Sequence, residues 1–134
     1  MDGIEFIFDY YKYPVIPVKF FYDGKETPFI DALLDSGGDF IVIPLPIAKF
    51  LGAKLRETKD VSTAGGIAPV SKTRLDLGIM RDDKEDILYR RLEVFVMDND
   101  DLPVLIGRKP FFEDFEITFK KHKKKLVLKR IRKE

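Results

Sequence analysis

One carboxylate stands where two apolar segments meet a glycine turn: Leu33-Leu34-Asp35-Ser36-Gly37-Gly38-Asp39, followed by Phe40-Ile41-Val42-Ile43. The run from Phe29 to Pro44 therefore predicts a strand, a tight turn and a second strand. A carboxylate between apolar strands is costly unless it is hydrogen-bonded or has chemical work to do. The Ser36 hydroxyl and the backbone amides of a glycine turn can supply such bonds. Standing alone, Asp-Ser-Gly is a common structural turn, so its meaning depends on what accompanies it.

Composition removes several chemistries. The chain has 134 residues, enough for one domain with a real core, and it is 45% hydrophobic and 35% charged, which is globular rather than disordered. It has no cysteine and one histidine, His122, inside a lysine-rich segment. That set argues against a zinc site and against Ser-His-Asp or Cys-His hydrolysis. Acid–base chemistry would fall to carboxylates, Lys or Tyr. No basic-then-apolar leader pattern opens the chain, and no apolar run approaches about 18 residues, so a soluble, cytoplasmic protein without a membrane partner is expected. The net charge of +1 conceals an asymmetry: residues 120–134 hold nine basic residues and one acid, the remaining 119 hold 15 basic and 22 acidic.

Along the chain, Ile4–Phe8 and Pro14–Tyr22 read as strands, and Asp23-Gly24 as a two-residue hairpin turn returning through Thr27–Leu34. Ala32-Leu33-Leu34 is continuously apolar, which predicts burial on both faces. Pro46 and Gly52 bracket a short helix, Pro46 at its first position. Lys54–Thr63 reads as a strand, Thr63–Pro69 as a glycine-centred hairpin tip and Val70–Met80 as the returning strand. After a charged turn at 81–86 come the strand Ile87–Met97, a polar loop at 98–101, and the apolar strand Leu102–Arg108. Residues 109–114 suit a helical turn, and Phe115–Phe119 with Lys125–Ile131 a last hairpin. Short strands with turn signals every 8–12 residues predict an all-β, single-domain barrel or sandwich over 1–134.

Four of these features together resemble the retroviral-type, or retropepsin-like, aspartic proteases. Asp35-Ser36-Gly37 is similar to the catalytic Asp-Thr/Ser-Gly triplet at the end of an apolar strand. Asp39 matches the acidic residue that often closes the longer motif. Gly65-Gly66 resembles the tip of a flap, and Leu105-Ile106-Gly107-Arg108 the apolar-apolar-Gly-Arg element before a short helix. The chain departs from the pattern at Gly38, where the family more often has Ala or Ser.

The resemblance implies a closed β-barrel with one or two short helices, active as a symmetric homodimer. It implies aspartic endopeptidase activity on peptide or protein substrates, with no metal and no cofactor. Only one such triplet occurs, so Asp35 would meet its own copy at a two-fold axis. Two carboxylates so close share one proton, behaviour for which pepsin and HIV protease are the standard examples. Ser36 and Gly37 would support the pair by hydrogen bonds, and Asp39 with Arg108 would form a partly buried ion pair bracing the turn. Ala64, Gly65, Gly66, Ile67 and Ala68 would form the flap over the substrate.

Two other readings stay open. The same barrel could bind peptides or assemble without cleaving. Alternatively, the basic C-terminus could bind nucleic acid, although it lacks interleaved aromatics and equally suits a solvated hairpin edge. Phe111, Phe112, Phe115 and Phe119 are expected in the core.

Overall fold

The computed structural model describes residues 5–10, 12–57, 61–63, 66–68, 70–81 and 84–131. In chain order the strands are β1 (Glu5–Asp9), β2 (Val15–Tyr22), β3 (Lys25–Glu26), β4 (Ile30–Leu34), β5 (Val42–Pro44), β6 (Arg56–Glu57), β7 (Val61–Thr63), β8 (Gly66–Ala68), β9 (Val70–Arg81), β10 (Lys84–Met97), β11 (Val104–Ile106), β12 (Phe115–Lys120) and β13 (Lys125–Arg130). Helix α1 spans Leu45–Leu51, and an irregular helical turn covers Arg108–Phe112.

Alternation makes the barrel. In β2, Ile16, Val18 and Phe20 are buried while the residues between them are not. That is the period-two pattern of a strand with one face on a core. β2 pairs with β4, β4 with β11, β11 with β5, β5 with β10, β10 with β9, and β9 returns to β2. Six strands thus close on themselves, which removes their edges. The fold is an all-β closed barrel with few helices. Pro17 has no N–H to give, and pairing of β2 with β9 begins only at Val18.

A second sheet, ordered β1-β13-β12, packs beside the barrel. Its inner face contributes Phe6, Phe8, Phe115, Leu126 and Leu128 to the same buried cluster as Phe20, Ile43, Leu77 and Ile106. Of the four C-terminal phenylalanines, Phe111 and Phe115 are buried and Phe112 is half-buried, but Phe119 is 48% exposed. Its ring meets Tyr10 edge-on at 6.3 Å, at the margin of the sheet.

Local chemistry explains most boundaries. Asp23 and Gly24 both have positive φ, 48° and 81°, as a primed two-residue turn requires. The returning strand is interrupted after Glu26, because Thr27 turns inward instead: its amide donates to the Phe20 carbonyl, and its Oγ1 accepts from the Phe20 amide at 3.0 Å. Pro44 caps α1, Pro46 occupies its second position rather than its first, and Gly52 closes it at φ 68°. The expected strand 54–63 is two short strands, β6 and β7. The strands around the 81–86 turn run longer than expected, so that Arg81 pairs with Lys84. β10 carries one extra residue between Tyr89 and Leu92, with Arg91 at φ 51°. The Arg91 amide donates to Asp76 Oδ1 at 2.8 Å, and its carbonyl accepts from Arg74 Nη1 at 2.9 Å. The bulge is thus held on both of its backbone groups.

Candidate active site

β4 delivers Asp35 to a turn tied by its own backbone. The Gly38 amide donates to the Asp35 carbonyl at 3.2 Å, and the Gly37 amide to Asp35 Oδ1 at 3.1 Å. The first bond closes a β-turn and the second is the side-chain turn that Asp favours. Asp35 is half-buried, whereas Ser36 and Gly37 are exposed at the tip.

The turn is fixed from the far end of the sequence. The Asp35 amide donates to the Ile106 carbonyl at 2.8 Å. Beyond it, Gly107, Arg108 and Lys109 donate to the carbonyls of Phe40, Gly38 and Asp39 at 3.1, 2.8 and 2.8 Å. Gly107 is obligatory here: a β-carbon would fall 2.5 Å from the Phe40 carbonyl oxygen and 2.7 Å from that of Gly38. The Ile-Gly-Arg element therefore braces the Asp35 turn through backbone bonds. The Arg108 side chain does pair with Asp39, as the resemblance implies. The pair is not partly buried as expected: the two side chains are 56% and 55% exposed.

Asp35 opens onto a cleft of ≈ 370 Å³ whose walls include Phe40, Val42, Val70, Phe95 and Leu105. Phe40 and Phe95 pack at 4.9 Å between ring centres, tilted by 48°. These walls escaped sequence reading. Each comes from a different strand or loop; Val70 is buried, and for the others the signal was an apolar side chain on a partly exposed position. Ala32 and Leu34 are buried, but Leu33 is half-buried and faces outward, correcting the expectation that the run is buried on both sides.

β7 and β8 form the expected hairpin as a separate two-stranded sheet, with Thr63 paired to Gly66. Gly66, Ile67 and Ala68 lie in β8; Ala64 and Gly65 fall outside the described residues. Among the described residues, no group of three or more His, Cys, Asp or Glu could hold a metal ion, and no helix is long and apolar enough to cross a membrane.

No protein-family model matches the chain, and no curated protein matches it. Solved structures do. A retropepsin-like aspartic protease from Rickettsia conorii is similar at a TM-score of 0.66 and 21% identity, over 93% of this chain and 98% of that one. The EIAV protease, solved with the inhibitor HBY-793, is similar at a TM-score of 0.56 and 18% identity, over 76% of this chain and 88% of that one. The barrel with its crossed Asp35 and Gly107 loops is thus a retropepsin-like fold.

Proposed function

We propose that this chain is an aspartic endopeptidase whose site forms between two copies, each giving one Asp35. The reading is carried by one observation: in a retropepsin-like fold, Asp35 lines a largely apolar cleft with the Gly37 amide on its carboxylate. The exposed tip at Ser36 and Gly37 leaves the turn free to face its counterpart. There, two carboxylates share one proton. The ionised Asp35 takes a proton from a water between them, and the water oxygen attacks the scissile carbonyl carbon. The protonated Asp35 gives its proton to the carbonyl oxygen, forming a gem-diol. Collapse breaks the C–N bond as a proton passes to the leaving nitrogen. The β7–β8 hairpin would cover an extended peptide and exclude water.

The test is digestion of a peptide library between about pH 3 and 8, a span that brackets carboxylate titration, by wild type and by Asp35→Asn, with and without a statine inhibitor. Wild-type cleavage that the inhibitor blocks and the variant lacks is expected. Absence of cleavage across the range would leave a peptide-binding module in its place. A strict monomer by sedimentation at micromolar concentration would sink the shared-site mechanism.

A further inference from the structure

The outward side chains across the barrel form one continuous row. From Leu33 it runs through Leu105 and Val42 to Phe95, then to Lys72 and Arg56. It is apolar up to Phe95 and cationic beyond. The two parts touch, for Lys72 Nζ lies 5.3 Å from the centre of the Phe95 ring. Arg74, two residues along β9, and Lys54 line the same depression of ≈ 450 Å³ as Lys72 and Arg56. One acid, Glu93, stands among these four cations, 3.6 Å from Lys72 Nζ and 3.9 Å from Arg74 Nη2. Among the described residues, Lys54 and Arg56 have no carboxylate partner. Among the described lining residues, the depression therefore carries an excess of three positive charges.

We propose that this depression binds an acidic side chain of the same extended peptide that fills the Asp35 cleft. Four inter-strand gaps separate Leu33 from Lys72, roughly 19 Å. An extended chain covers that in about six residues, and fewer where Lys72 reaches back over Phe95. The acidic residue thus sits about four to six positions from the bond at Asp35. A nucleic acid would want cations strung along a groove with stacking faces between them. Here they form one cluster at the end of an apolar row, which suits a peptide that is apolar at its centre and acidic further out. The cleavage arm of this assignment rests on the proposed role of Asp35; the binding arm does not.

The test uses two fluorescent peptides with one apolar centre, carrying Glu or Gln at the fourth to sixth positions on both sides. Each is titrated against Asp35→Asn and digested with wild type. The Glu peptide is expected to bind about tenfold tighter at low salt, with the preference collapsing near 1 M salt. Lys72→Glu combined with Arg56→Glu abolishes the preference, whereas Lys72→Arg retains it. Equal binding of both peptides, or a preference that survives charge reversal, overturns the assignment. Equal kcat/KM for both peptides overturns it while leaving the Asp35 reading intact. Charge-dependent binding without cleavage supports it and counts against that reading instead. An RNA oligonucleotide that displaces the Glu peptide better than unlabelled Glu peptide does also overturns it. Should the double reversal unfold the chain by circular dichroism, Arg56→Ala alone at the exposed end of the row is read, with about a threefold loss expected.

Discussion

Gly38 leaves room for the carboxylate of Asp35: a β-carbon there would lie 2.9 Å from Oδ2 and 3.3 Å from Cγ. The proteases that this chain resembles more often carry Ala or Ser at that place. Gly38→Ala must push the carboxylate, whose other oxygen is held by the Gly37 amide. Because only a side-chain end has to move, the fold should survive with its melting temperature nearly unchanged. If the proposed activity holds, peptidase kcat/KM should fall on the order of tenfold, a displacement of a few tenths of an ångström being enough to spoil alignment. Unchanged activity would mean that the carboxylate has slack.

Gly107→Ala is the opposite case. Its β-carbon meets backbone atoms of Gly38 and Phe40 at 2.5–2.7 Å, and neither can step aside without breaking the loop crossing. A loss of about 3 kcal/mol or more is expected in urea denaturation. A loss under about 1 kcal/mol would show that the crossing relaxes freely.

Asp39 and Arg108 form an ion pair with more than half of each side chain in water. Such pairs are worth little, so Asp39→Ala should cost under about 1 kcal/mol. The backbone bonds from Arg108 and Lys109 across the loop need no side chain and hold in either case. A larger loss in the isolated chain would show that the side-chain pair, and not the backbone, is the brace.

Tyr89 ties the barrel to the second sheet, its hydroxyl donating to Asp114 Oδ2 at 2.5 Å. Burial, reinforced by that bond, pushes its phenol well above the usual range. Tyr89→Phe should cost about 1–2 kcal/mol near neutral pH. A raised folded value means that the stabilisation is full below the unfolded phenol value of about 10 and is lost as pH climbs above it. Denaturation of wild type and variant at about pH 8 and 11 should therefore show the gap narrowing at the higher pH. A gap that widens would reverse the sign argued here.

What could be read from the sequence was what is local in it. The Asp35 turn, the Asp23-Gly24 hairpin and the Gly52 stop each place a special residue within a few positions of the strand or helix that it ends. The cleft walls and the cation cluster draw their residues from segments far apart in the chain. Only register brings Val42, Phe95 and Lys72 into one row. The Arg91 bulge was hidden for a related reason: the acid that holds its amide, Asp76, lies on the neighbouring strand.

The position of β11 between β4 and β5 also sets a timetable. During synthesis, the segment bearing Asp35 emerges some seventy residues before the strand that belongs at its side. Until Val104–Ile106 arrives, the gap in the barrel lies in its middle, and the partners that hold Asp35, Gly38 and Phe40 do not yet exist. A nascent chain or a fragment ending before Val104 would thus carry the acid without its frame, and ordering of the site would be among the last events of folding.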